Sequence, residues 1–258
     1  MPTRPCVRAR LAKGERIYGT MVFELFTPGL TAILAEAGLD FVILDTEHSG
    51  VGIETLKQQV AYARGLPIEV YARVPQLTYA AVATVLDAGA KGIMVPMLET
   101  PEQARDLVTF ARYRPEGKRG CAFGMPHDGY QGGDVKAYMA RANAENLLIA
   151  LIETKKGIEN ADAIMATPGI DVGWIGHFDL TNDMGITADF EHTDFWAAVD
   201  KLAAAAKKHK KTAAGLDMSP AYLEKLHSKG FKMLGFGMDT AVLKTAYAAG
   251  MEQLRAFG

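Results

Sequence analysis

A closed (β/α)₈ barrel is the α/β fold class that the sequence predicts, and three observations point to it. The chain has 258 residues, 49% of them apolar, and such a barrel needs roughly 250 residues. Short apolar runs alternate with amphipathic stretches, the pattern of repeated βα units. Eight such runs are present, each with a helical pattern behind it. An open doubly wound sheet is the alternative. It requires a glycine-rich phosphate loop after an early strand, and the sequence has none. No linker composition divides the chain, so residues 1–258 read as one domain.

The units follow in order. A strand at 18–22 precedes a helix at 29–37. The run Phe41-Val42-Ile43-Leu44 is apolar throughout, as in a parallel strand buried on both faces, and leads to a helix at 53–64. Strands at 69–73 and 92–95 pair with helices at 79–88 and 101–112. Strands at 147–152 and 172–175 pair with helices at 156–166 and 194–209, the latter containing the good helix formers Ala203 to Ala206. The last two units join strands at 212–215 and 233–237 to helices at 220–229 and 240–256. One connection is long. Residues 113–146 are rich in Gly and Pro and carry aromatics, and long loops in compact domains are usually functional or mobile, so this one is expected to form a lid or wall of the site.

The net charge is −2 with both signs scattered, which gives no footprint for nucleic acid or a membrane surface. The basic run Lys207-Lys208-His209-Lys210-Lys211 reads as a solvated helix C-terminus, favoured by the helix dipole. Cys6 and Cys121 stand far apart, without disulfide or metal spacing, which fits a reducing cytoplasm. The first eight residues lack an apolar signal core, and no apolar run approaches the ~20 residues of a membrane span. A cytoplasmic location is the expectation.

Three strand ends carry acids. They read Leu44-Asp45-Thr46-Glu47-His48, Ile152-Glu153-Thr154 and Ile175-Gly176-His177-Phe178-Asp179. The carboxyl ends of parallel strands are where α/β folds build active sites. Two carboxylates from neighbouring strands, with water in the remaining positions, suit a hard divalent cation, and Glu153 with Asp179 is the natural pair. The competing assignment makes Glu153 a helix N-terminal acid and Asp179 a cap. Arg73 ends the third strand, where a guanidinium can grip a carboxylate substrate or form a structural ion pair with a nearby acid. His48 has a side chain whose charge changes near neutral pH, and Asp45 is placed to orient its imidazole. No lysine falls at an inward strand position, so imine chemistry is not expected.

These residues together resemble the HpcH/HpaI family of metal-dependent pyruvate aldolases. The resemblance is carried by Gly19-Thr20-Met21, the Asp45 to His48 segment, Ala72-Arg73-Val74, Leu86-Asp87-Ala88-Gly89 and Val95-Pro96-Met97. Arg119-Gly120, Ile152-Glu153-Thr154 and the Gly176 to Leu180 segment complete it. It implies a (β/α)₈ barrel of the phosphoenolpyruvate/pyruvate type, with a last helix exchanged between subunits of a homo-trimer or homo-hexamer. It implies Mg²⁺, Mn²⁺ or Co²⁺ at Glu153 and Asp179, and a small-molecule 2-oxo acid such as pyruvate or hydroxypyruvate, with an aldehyde as co-substrate. Under the resemblance, Arg73 contacts the enolate oxygen, His48 with Asp45 handles the proton and Glu47 contacts metal-bound water. Asp87 reaches a neighbouring subunit's site, Phe178 and Asp179 contact substrate, and Leu216 lies beside the pyruvate methyl group.

Two departures stand out. The metal strand reads Gly176-His177-Phe178-Asp179-Leu180, where many family members have proline at the second position; His177 is read as a turn residue. The 121–133 loop, with Pro126-His127-Asp128 and Tyr130, is also unusual, and this region is expected to help form the aldehyde pocket. The resulting expectation is a carbon–carbon lyase for 4-hydroxy-2-oxo acids. Its rivals are an oxaloacetate decarboxylase, a citrate lyase β-like thioester lyase and a catalytically silent barrel acting as an assembly module. No basic surface for coenzyme A favours the thioester lyase, and the retained metal and base positions disfavour a silent barrel.

Overall fold

Strand parity sets the architecture. In the computed structural model, which describes residues 5–257, eight parallel strands close into one barrel in chain order. They are β1 (Ile17–Val22), β2 (Phe41–Asp45), β3 (Glu69–Arg73), β4 (Gly92–Val95), β5 (Leu147–Ile152), β6 (Val172–Ile175), β7 (Thr212–Asp217) and β8 (Met233–Met238). Successive side chains on a strand point to opposite faces. Phe41 and Ile43 of β2, Leu147, Ile149 and Leu151 of β5, and Val172 and Trp174 of β6 therefore fill the barrel interior. Val42, Leu44, Leu148, Ala150 and Ile152 face the helices and form the larger outer core. Continuing the inward parity by one step places Asp45, Arg73 and Glu153 at the mouth. The register sets Asp45 directly beside Arg73. Gly19 is required inside the barrel: a Cβ there would meet the Phe41 ring at 2.5 Å.

The helices lie close to their expected bounds, with instructive differences. The helix expected at 156–166 is two helices, Lys155–Glu159 and Ala161–Ala166, meeting at Asn160. Helices Val7–Ala12 and His177–Asp183 are too short to show a period and were not anticipated. The first of them closes the bottom of the barrel. Val7 and Leu11 join the interior cluster, and the Val7 N–H donates to Glu69 Oε1. Residues 1–4, which carry part of the N-terminal segment read above, lie outside the described residues.

The long connection corrects an expectation. It contains a 3₁₀ turn, Pro126–Asp128, and a helix, Val135–Glu145. It does not wall its own mouth. A segment that follows a barrel helix returns at the amino ends of the strands, the face opposite the site. Pro126 accordingly accepts from Arg64 Nη2, just beyond the helix Ile53–Tyr62, and approaches Gly89, just beyond the helix Tyr79–Asp87. Among the described residues, no helix is long and apolar enough to cross a membrane.

Candidate active site

The mouth of the barrel opens into a cavity of about 580 Å³. His48, Arg73, Glu153, His177, Asp179 and Asp217 are its ionisable lining residues. Most of the remaining wall is apolar, including Met21, Phe23, Trp174 and Leu216. Convergent polar groups in a largely apolar cleft of this size are typical of small-molecule sites.

Asp45 organises one side. Its fully buried carboxylate accepts from Arg73 Nε through Oδ1 and from the His48 backbone N–H at 2.7 Å through Oδ2. A buried carboxylate is tolerable only with such partners. Arg73 Nη1 also lies 3.2 Å from Glu47 Oε2, and its guanidinium stands over the Phe23 ring at 5.6 Å. The arginine is thus held by two acids and a ring, and it lines the cavity. The expected contact between Asp45 and the His48 imidazole is not formed among the described residues. Asp45 instead shapes the turn through the His48 backbone. The imidazole is 61% exposed, with Nε2 3.7 Å from Glu47 Oε2. Burial raises the Glu47 carboxyl above its usual range, against the lowering influence of Arg73 and His48.

This pairing sets an expected result for Arg73. Arg73→Ala leaves Asp45 buried without its charged partner, a class of change that costs about 3–5 kcal/mol. Arg73→Lys keeps the charge and the fold but loses the planar fork. If Arg73 contacts the enolate oxygen, as the resemblance implies, turnover of the folded Lys variant should fall by roughly 10²-fold, the scale for removing one donor to a developing oxyanion. Thermal melts and aldol rates check this together. Full turnover in the folded variant would reduce Arg73 to a brace.

Glu153 forms the other side. Its Oε1 accepts from the Met97 N–H at 2.8 Å, and Met97 adopts φ +52°, a left-handed conformation that is uncommon outside glycine. At Gly176 a Cβ would stand 2.4 Å from Glu153 Oε2, so only glycine lets the carboxylate lie against the start of the helix that carries Asp179. Burial pushes the Glu153 carboxyl up to about 7, Asp179 and Glu47 add repulsion, and the Met97 amide and Arg73 oppose the shift. A buried carboxylate repelled by two further acids, with one oxygen free of protein donors, is a donor set that fits a hard divalent cation. Among the described residues no group of three or more His, Cys, Asp or Glu side chains forms a ready-made cage. Two carboxylates would leave the other positions around such a cation to water and substrate.

The sign of the Glu153 shift gives a second expected result. Its raised pKa favours the protonated carboxyl in the folded, metal-free chain. That stability is complete below the ordinary carboxyl range and is lost as pH rises through about 7. A cation bound by Glu153 would have to displace this proton. Affinity for Mg²⁺ or Mn²⁺ should weaken by about tenfold for each pH unit below 7 and level off above it. Titration calorimetry in buffers of different ionisation enthalpy checks the accompanying proton release. PH-independent binding without proton release would contradict it.

The structure also corrects the reading of His177. It is no turn residue: it is buried, opens the helix His177–Asp183 and places Nε2 3.4 Å from Asp217 Oδ2. Burial lowers its pKa against the opposing influence of Asp217 and Asp179. Asp217 was missed because the strand was expected to end at Gly215, whereas β7 runs two residues further. The acid at a strand end was the signal that could have found it. Phe178 lines the cavity and is 55% exposed, and Leu216 lies on β7 beside Asp217. Asp87 stands apart. It closes the helix Tyr79–Asp87 on the face opposite its own mouth and binds Arg119 Nη2 at 2.7 Å.

Similarity to known proteins agrees with this geometry. A hydroxypyruvate/pyruvate aldolase of Roseovarius nubinhibens is 31% identical, over 92% of this chain and 91% of that protein. The crystal structure of an HpcH/HpaI aldolase from Desulfitobacterium hafniense superposes with a TM-score of 0.93 at 30% identity, over 98% of this chain and 97% of that one. The citrate synthase SbnG superposes with a TM-score of 0.88 at 26% identity, covering 98% of both chains. Residues 20–246 match the family described as HpcH/HpaI aldolase/citrate lyase, and the chain belongs to that family.

Proposed function

We propose that this protein is a metal-dependent class II aldolase that reversibly cleaves 4-hydroxy-2-oxo acids to pyruvate, or a close 2-oxo acid such as hydroxypyruvate, and an aldehyde. The observation that carries this reading is the convergence of Glu153, Asp179, Arg73 and His48 on one cavity at the carboxyl ends of the strands. Glu153 and Asp179 would hold the divalent cation, which supplies Lewis-acid stabilisation of the negative charge that enolisation places on a keto oxygen. Arg73, fixed by Asp45 and Glu47, directs a second positive charge to that oxygen. His48 takes the proton from the donor's methyl or hydroxymethyl carbon and returns one in the cleavage direction. Phe178 and Leu216 bound the donor. The nucleophilic carbon then adds to the aldehyde carbonyl. No lysine lines the cavity among the described residues, which agrees with an enolate route. The test is aldol turnover of pyruvate and hydroxypyruvate with an aldehyde panel, with added cation and with chelator. Turnover that survives chelation would count against the reading.

The similarity to a citrate synthase favours one second reading, carbon–carbon bond formation or decarboxylation on oxaloacetate, because the same enolate serves both. Release of carbon dioxide from oxaloacetate in the same assay distinguishes it.

The reading extends to assembly. The helix Asp239–Arg255 has no buried residue, and Leu243, Tyr247, Met251 and Leu254 are exposed along it. A helix with this much uncovered apolar surface calls for a partner. A second copy, with last helices exchanged in a trimer or hexamer, would cover it and bring Asp87 toward a neighbour's mouth. Light scattering should give a mass of at least three chains. Fully active monomer at assay concentration would contradict both the exchange and the role of Asp87.

A further inference from the structure

We infer that Asp239 is a positioning residue for the reaction: it ties the last helix to the mouth of the barrel, and through the Phe23 ring it sets the Arg73 guanidinium. This rests on the aldolase reading and deepens it. The chain leaves β1 with three successive backbone N–H groups, those of Phe23, Glu24 and Leu25, and all three donate to one carboxylate. Asp239 Oδ1 accepts from Phe23 at 3.0 Å. Its Oδ2 accepts from Glu24 at 2.9 Å and from Leu25 at 2.7 Å. A carboxylate has about four acceptor sites, so one side chain can serve the whole turn. Hydrogen bonds to an ionised acceptor are the stronger kind, and three of them fix the backbone that carries Phe23.

Asp239 is itself held in place. It is the first residue of the helix Asp239–Arg255, which follows β8 directly. Gly237 adopts φ +66°, and a Cβ there would meet Val242 Cγ2 at 2.6 Å and Met218 Sδ at 2.7 Å, so glycine is required where β8 turns into the helix. The Thr20 hydroxyl donates to the Gly237 carbonyl at 2.9 Å, beside a register shift between β1 and β8. The clamped turn then presents Phe23 to the site. Its ring lines the cavity, packs against the barrel interior and lies under the Arg73 guanidinium at 5.6 Å. Asp45 and Glu47 engage Arg73 Nε and Nη1, and the ring supplies the third restraint. A guanidinium aimed at a developing charge acts only in a defined geometry, and a misplacement of about 1 Å by a remote change can cost on the order of 10²-fold. The helix that carries Asp239 is the one with uncovered apolar side chains, so its docking is felt at Arg73.

The experiment is a double-mutant cycle of Asp239→Ala and Phe23→Leu. It is read as pyruvate methyl exchange in deuterated water by Mn²⁺-loaded protein, beside the mass from light scattering and the melting temperature. Asp239→Ala should lower kcat for exchange by roughly 10- to 10²-fold, in protein whose mass and Mn²⁺ content match the wild type. KM for pyruvate should change little, the split expected when the lost interaction is made in the transition state. In the Phe23→Leu background most of that loss should be absent, because the ring through which Asp239 acts is gone. Independent residues would instead give the same factor in both backgrounds, to within about twofold. Asp239→Asn keeps one acceptor oxygen and should fall between wild type and alanine; it carries the test where the alanine variant does not fold. Equal factors in both backgrounds, or unchanged kcat in the folded Asp239 variants, would overturn the positioning role and leave the aldolase reading intact. Absence of methyl exchange in the metal-loaded wild type would overturn both.

Discussion

Replacing Glu153 or Asp179 with alanine should abolish stoichiometric binding of a divalent cation and lower aldol turnover by on the order of 10³-fold or more. The magnitude follows from the several kcal/mol that a Lewis acid contributes at a developing oxyanion. Two carboxylates are a minimal protein share of an octahedral site, so losing either leaves too few protein donors. The fold should survive both changes. Glu153 lies at the end of β5 and is repelled by Asp179 and Glu47, so its removal relieves burial and repulsion, at the loss of the Met97 hydrogen bond. Metal content after dialysis, read beside the melting temperature, checks this. Full occupancy in both variants would remove the two acids from the metal site.

The second large effect is expected at His48. His48→Ala should lose pyruvate methyl exchange by roughly 10²–10⁴-fold, the usual contribution of a positioned base, while keeping the cation. Stability should change little, because the imidazole is 61% exposed and Asp45 is bound to the backbone N–H that alanine retains. Asp45→Asn should act differently. It leaves Arg73 short of its buried partner and loosens the turn that carries His48, so both stability and exchange should fall. Exchange in deuterated water followed by proton NMR separates the two variants.

Much of this site was legible in the sequence because parity and strand ends are local properties. The apolar run from Leu147 to Ile152 makes the next inward residue Glu153, and the same step places Asp45 and Arg73. What was lost depends on tertiary geometry. β7 reads Thr-Ala-Ala-Gly before Leu216 and Asp217, a run with too little apolar character to show where the strand stops, and so Asp217 and its approach to His177 went unseen. Which end of the barrel the 113–146 connection occupies follows from its coming after a helix, not from its Gly and Pro content. The partner of the Asp45 carboxylate at residue 48 is a backbone N–H, and every residue but proline supplies one.

The central claim is that this barrel enolises a 2-oxo acid with the help of a cation held by Glu153 and Asp179. The most direct measurement is methyl-proton exchange of pyruvate in deuterated water, by chelator-stripped protein, before and after addition of Mg²⁺, Mn²⁺ or Co²⁺, with borohydride trapping in parallel. The predicted result is no exchange without cation, recovery on adding it, and no covalent adduct at any lysine. Undiminished exchange by the stripped protein, with a reduced lysine–pyruvate adduct, would contradict it.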